Sequence, residues 1–220
     1  MKHILFDIDD TLFPSTRFSS LARKNALNAM ISMGISADYG ELDRRLEQII
    51  KKKGSNYPKH FDELCKELKI KSAGKYVAAA VAAYHDTKTS IAPFPGVALT
   101  LMELKKQGHI LHIATNGSSV KQWDKLIRLG LALYFDNVFV SEEIGTEKGV
   151  TFYKRILKSL DVPARSCIMV GDREDADIDP AKKVGMRTIR LLQGKYAKIP
   201  SKADHKIQDI SKILSIMQQF

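Results

Sequence analysis

The chain has 220 residues, 44% of them hydrophobic and 27% charged, with a net charge of +10. That supports a sizeable core, either one domain with an insert or two small domains, and it excludes a disordered chain. No apolar stretch approaches the length of a membrane-spanning helix, and Asp7 cuts the first apolar run too early for a signal-peptide core, so a soluble, cytoplasmic chain without a membrane partner is expected.

In chain order, Lys2–Phe6 is the first strand-like run. Four helical patterns follow at Phe18–Met33, Glu41–Lys52, Pro58–Leu68 and Lys75–Thr87, punctuated by Gly34, by Gly54-Ser55-Asn56 and by Lys71-Ser72-Ala73-Gly74. Pro95-Gly96 then opens a helix at Val97–Gln107, followed by a strand at Ile110–Thr115 and a helix at Ser119–Leu129 that stops at Gly130. The next strand is Asn137–Val140, with a helix at Thr151–Leu160, a strand at Cys167–Gly171, a short helix at Asp179–Val184 and a strand at Arg187–Leu192. Lys206–Met217 has the spacing of an amphipathic helix. Most of the strand runs are continuously apolar, as in strands buried on both faces of a parallel sheet. The alternation of strand and helix predicts an α/β fold, a Rossmann-like doubly wound parallel sheet. About a hundred residues separate the first two strands, far more than one crossover helix needs, which predicts an inserted helical-bundle cap. The expected boundaries are 1–14 with 94–220 for the core and 15–93 for the cap.

Open α/β sheets bind ligands at the carboxyl ends of their strands. Asp7-Ile8-Asp9-Asp10-Thr11 follows the first strand here and Thr115-Asn116-Gly117 the second. Ser141-Glu142-Glu143, with Lys148 beyond, follows the third, and Asp172 to Asp177 follow the fourth. Each group alone has an ordinary explanation: turn chemistry for Asp-x-Asp, a surface position for Lys148, a helix cap for Asp172 or Asp177. Together, at four successive strand ends, they suggest phosphoryl chemistry. Asp7 and Asp172 are hard oxygen ligands suited to Mg²⁺. Asp7 is a candidate nucleophile and Asp9 a candidate acid and base. Thr115 and neighbouring backbone N–H groups suit phosphoryl oxygens, Lys148 adds positive charge, and Asp177 is placed to hold Lys148.

This constellation resembles the haloacid dehalogenase superfamily. Ile4-Leu-Phe-Asp-Ile-Asp-Asp-Thr-Leu12 is similar to its first motif, Ile113-Ala-Thr-Asn-Gly117 to its second, Lys148 to its third and Val170-Gly-Asp-Arg-Glu-Asp-Ala-Asp-Ile178 to its fourth. The resemblance implies Asp7 as nucleophile and metal ligand, Asp9 as acid/base and backbone ligand, and Asp172 completing an Mg²⁺ site. It further implies Thr115, Asn116 and Lys148 on the phosphate, with Thr11 and Asp177 in support. The presence of Asp9, which the dehalogenases themselves replace, points to phosphate esters. The insert looks like the cap of subfamily I. Val120-Lys-Gln-Trp-Asp-Lys-Leu126, Gly171-Asp-Arg and Gln193-Gly-Lys-Tyr196 look like a subgroup containing archaeal glyceraldehyde-3-phosphate phosphatases and N-acylneuraminate-9-phosphatases. One departure is Gly149-Val150 after the lysine, where many relatives have Pro.

The expected activity is therefore an Mg²⁺-dependent phosphatase acting on a small phosphorylated metabolite of the sugar or triose phosphate class. The rivals are a phosphomutase of the same fold and a non-enzymatic binder of anions or nucleic acid. A nucleic-acid partner is not expected, because the basic residues are scattered and Lys51-Lys52-Lys53 has no interleaved aromatics. A monomer or homodimer is expected. Cys65 and Cys167 lack metal-ligand spacing and read as reduced thiols. His112 reads as a hydrogen-bonded core residue, Asp10 as solvent-facing or supporting, and Trp123 as packed between its helix and the sheet.

Overall fold

Residues 1–55 and 57–218 are described by a computed structural model. Asn56 of the Gly54-Ser55-Asn56 turn, and residues 219–220 of the expected core segment, lie outside the described residues. The chain divides into two compact units, Met1–Thr16 with Ile91–Phe220 and Arg17–Ser90.

The first unit is built on a parallel sheet. Its strands are β1 (His3–Phe6), β2 (Ile110–Thr115), β3 (Asn137–Val140), β4 (Cys167–Gly171), β5 (Arg187–Leu191) and β6 (His205–Ile207), in the order β3-β2-β1-β4-β5-β6. β1 lies centrally, in register with Ile110–Ile113 of β2 on one side and Cys167–Val170 of β4 on the other. All four of its residues are buried, as a strand covered on both faces requires. The order reverses between β1 and β4, the crevice where such sheets place their ligands. The hydrogen bond from the Asp7 backbone N–H to the Val170 carbonyl (2.9 Å) carries the β1–β4 pairing one residue past β1. That bond fixes where the Asp7 side chain emerges.

The second unit is helical. α1 (Ser15–Ser32) starts in the first unit and is followed by α2 (Tyr39–Lys53), α3 (His60–Glu67) and α4 (Gly74–Lys88). Leu27, Met30, Leu42, Leu46, Leu64 and Cys65 form its core. Asp38 caps α2 by accepting from the Glu41 N–H, and the exposed Lys51, Lys52 and Lys53 lie in its last turn, complementing the helix dipole. Among the described residues, no helix is long and apolar enough to cross a membrane.

The remaining helices belong to the first unit: α5 (Val97–Lys106), α6 (Ser119–Arg128), α7 (Ser141–Ile144), α8 (Val150–Leu160), α9 (Asp179–Lys183) and α10 (Ile213–Met217). α8 starts at Val150, directly after Gly149, without a proline in its first turn. Phe152, Tyr153 and Ile156 of α8 pack with Leu5, Ala114, Phe139 and Met169 from four strands. His112 is buried in β2 and bonded on both sides, to His3 (3.0 Å) and to Asn137 (3.1 Å). Burial, with the neighbouring His3 adding to it, pulls its pKa down to about 4.

Two expectations need correction, and a third is narrowed. Lys206–Met217 is not one helix, because His205–Ile207 pairs with the open edge of β5 and a 3₁₀ turn follows at Ile210–Lys212, leaving only Ile213–Met217 as α-helix. Its apolar residues recur at helical spacing, but the unsatisfied edge of β5 captures the first of them. Trp123 is 38% exposed, and the inward positions of α6 are Gln122 and Leu126. Of the two readings for Asp10 the supporting one holds: it is buried and accepts hydrogen bonds from the Thr16 N–H (2.9 Å) and hydroxyl (2.5 Å) near the start of α1.

Candidate active site

Asp7 emerges at the carboxyl end of β1, with its residue only 6% exposed. Lys148, from the segment between α7 and α8, donates to its carboxylate. The same ammonium donates to Asp177 Oδ1 at 2.7 Å, and the lysine side chain is 3% exposed. Asp177 lies in a π-helical turn, Glu174–Ile178, and its other oxygen accepts from the Arg173 N–H at 3.0 Å. The turn is thereby folded back on itself, with Asp177 aimed at Lys148. Gly171 makes room for this, because a Cβ there would overlap the Asp177 side chain.

Asp172 is 2% exposed, and oxygens of Asp7, Asp172 and Asp177 lie within 4.8 Å of one another. One lysine faces three buried carboxylates, leaving two negative charges uncompensated when all are ionised. Burial pushes Asp7 up to about 7, with Lys148 opposing and Asp177 and Asp9 adding. Burial followed by the charges of Asp7 and Asp177 pushes Asp172 up to about 9. Burial works against the charged form of Lys148, but Asp177 and Asp7 outweigh it and its pKa rises. Hard oxygen donors with this residual charge fit one divalent cation, which reverses the carboxylate shifts.

The second strand end is tied to the same place. Asn116 Oδ1 accepts from the Lys148 N–H at 2.7 Å, so the Asn116 carbonyl oxygen orients the lysine segment. The Gly117 N–H donates to Ser141 Oγ at 2.9 Å, linking the loop after β2 to the start of α7. Gln122, buried on α6, donates its amide to the Asn116 carbonyl. At Gly117 (φ +132°) a Cβ would sit 2.7 Å from that amide, so only glycine fits. Thr115 is buried at the end of β2. The Thr11 hydroxyl is buried without a hydrogen-bond partner and makes no tie to the other site residues. Asp9 is placed differently from Asp7. Both its oxygens meet Lys125 of α6, at 2.8 and 2.6 Å.

The geometry thus reproduces four strand ends converging on Asp7. Residues 4–191 match the family described as haloacid dehalogenase-like hydrolase. The chain belongs to that family. It is 42% identical to the glyceraldehyde 3-phosphate phosphatase of Methanocaldococcus jannaschii, across 99% of this chain and 97% of that one. It is 44% identical to the protein of the same name from Methanopyrus kandleri, across 95% and 91%. Among solved structures, it resembles a HAD phosphatase from Thermococcus onnurineus with a TM-score of 0.68 and 23% identity, covering 99% of this chain and 98% of that one. At that identity the last likeness speaks for the fold alone.

Several residues that organise this haloacid dehalogenase-like site escaped the sequence reading. Arg190, fully buried in β5, donates to the carbonyls of Asp172 (2.8 Å), Tyr196 (2.6 Å) and Ile199 (2.9 Å). It ties the fourth strand end to the loop after β5. A charged residue inside a strand buried on both faces was the signal available for it. Gln122 and Ser141 left a weaker one, as polar residues on inward positions. Lys125 left none.

Proposed function

We propose that this hydrolase is an Mg²⁺-dependent phosphatase of small phosphorylated metabolites, with glyceraldehyde 3-phosphate or a closely related triose phosphate as substrate. The reading rests above all on the buried Asp7 carboxylate, oriented by Lys148 and bordered by Asp172. The names of the two close archaeal relatives support the substrate class.

Asp7, Asp172 and the Asp9 backbone carbonyl would hold Mg²⁺, which supplies positive charge that screens the phosphoryl oxygens from the attacking carboxylate. In the first step an Asp7 oxygen bonds to phosphorus as the phosphorus–ester oxygen bond breaks, and Asp9 passes its proton to the departing alkoxide. In the second step water bonds to phosphorus, its proton returns to Asp9, and the aspartyl-phosphate bond breaks to release inorganic phosphate. Thr115 and the N–H groups after β2 hold the phosphoryl oxygens, and Lys148 neutralises charge on the transferring group. Asp177 holds Lys148, Asn116 orients its segment, and Thr11 supports the turn after β1. The helical unit Arg17–Ser90 takes the substrate-selecting part in this reading.

The test is phosphate release from a panel of esters that includes glyceraldehyde 3-phosphate, first with Mg²⁺ and then with EDTA. Release that EDTA abolishes, fastest from the triose phosphate, supports the proposal. Release unaffected by EDTA, or none from any ester, contradicts it.

A further inference from the structure

The two carboxylates of the first motif are held by different lysines. Asp7 is held by Lys148, whose side chain is buried. Asp9 is held by Lys125, and here the side chains are 27% and 38% exposed for lysine and aspartate respectively. Asp9 is less enclosed than Asp7, and Lys125 is the side chain that bonds both of its oxygens. Lys125 Nζ reaches both Asp9 oxygens and lies 5.8 Å from the centre of the buried Phe13 ring. Phe13 in turn bridges to Asp9 through the backbone.

The register of Lys125 is set one turn earlier on α6. Gln122 is anchored to the Asn116 carbonyl in the loop that carries Thr115, and residues three apart on a helix share a face. Gln122 thus anchors α6 to the loop after β2, and Lys125, one turn further along that helix, is bonded to Asp9.

We infer that Lys125 is a positioning residue that aims the Asp9 carboxyl group, protonated for this step, at the leaving oxygen. The inference rests on the proposed role of Asp9. An ammonium has three N–H groups, so Lys125 can stay bonded to one Asp9 oxygen while the other meets the substrate. Proton delivery needs heavy-atom distances of about 2.6–3.2 Å, and small misplacements are costly. The pair is half open to water, so its loss disturbs folding little.

The leaving group separates this role from a grip on the substrate. An alkoxide leaving from glyceraldehyde 3-phosphate needs a proton, whereas p-nitrophenolate leaves without one. Because kcat/KM reports the first irreversible step, it isolates that proton transfer from the later hydrolysis of the aspartyl-phosphate. The experiment compares wild type, Lys125→Met and Lys125→Arg on both esters, with melting temperatures as a folding control. Lys125→Met should lower kcat/KM for the triose phosphate by about tenfold or more. It should change p-nitrophenyl phosphate by less than about threefold, and Lys125→Arg should restore most of the loss. Equal losses on the two esters, or no loss on either, overturn the role of Lys125 while leaving the phosphatase reading intact. A wild type that releases phosphate from neither ester overturns both.

Discussion

In the proposed reaction Asp7 carries the chemistry, and its burial carries an electrostatic cost. It sits in a buried cluster where one lysine faces three carboxylates. Asp7→Asn keeps the shape and removes the nucleophile, so phosphate release should fall by about 10⁴-fold or more in a steady-state assay. The metal-free variant should melt no lower than the metal-free wild type, because the neutral amide lacks the ionic charge that burial penalises. The cluster also gives a signed pH dependence. Asp7 and Asp172 rise from an ordinary value of 3.8 to about 7 and about 9 in the folded chain. An acid whose folded pKa is raised favours the folded state while protonated, and that advantage is lost as pH rises through the folded pKa. In EDTA the melting temperature should therefore fall between pH 6 and pH 9. Mg²⁺, which binds the ionised forms and releases protons, should raise it more at pH 9 than at pH 6. Thermal melts at the two pH values, with and without metal, measure both effects.

Elements matter here through their ends. β4 stops at Gly171, and the π-helical turn beyond it returns Asp177 onto Lys148. Gly171→Ala drives a Cβ into the Asp177 side chain, and backbone and lysine must shift to admit it. The expected cost is about 1–3 kcal/mol in urea denaturation, the usual range for overpacking, together with a loss of kcat larger than any change in KM. A variant with wild-type kcat would show that the Asp177–Lys148 bond is dispensable. The loop after β5 works in the same way. Arg190 gathers the carbonyls of Asp172, Tyr196 and Ile199 from inside a strand, so the placement of Asp172 depends on a residue from a different element. These dependencies were not legible locally. The motif strings name the residues proposed to do chemistry, whereas the roles of Arg190, Gln122 and Lys125 are recognisable only by what they touch.

At the scale of the molecule, two sets of buried groups pull the pH dependence of stability in opposite directions. The carboxylate cluster weakens the metal-free fold at high pH, as above. Below neutral pH the opposing group is His112, bonded between His3 and Asn137, with its pKa pulled from 6.5 to about 4. A histidine kept neutral by burial favours the folded state above its unfolded pKa, and that stability is lost as pH falls through the folded value. His3 is lowered in the same direction by its own burial. Urea midpoints measured in EDTA from pH 7 down to pH 4 should rise more, or fall less, in His112→Gln than in wild type, because the variant keeps the gain from the carboxylates and lacks the histidine penalty. An unchanged slope would place the acid sensitivity elsewhere.

The family, the parallel sheet and the identities of the residues around Asp7 were determined by the sequence alone. Continuous apolar runs separated by helical periods leave few topologies open, and an acid or hydroxyl at each strand end has one shared place to go. Short stretches with balanced local preferences were decided by tertiary structure. His205–Ile207 became a strand because β5 had an open edge to fill. Trp123 turned outward because Gln122 was needed to hold the loop after β2. Asp10 was drawn inward by the start of α1. In each case the winning interaction joins residues whose proximity is a product of the fold, and no local pattern records it.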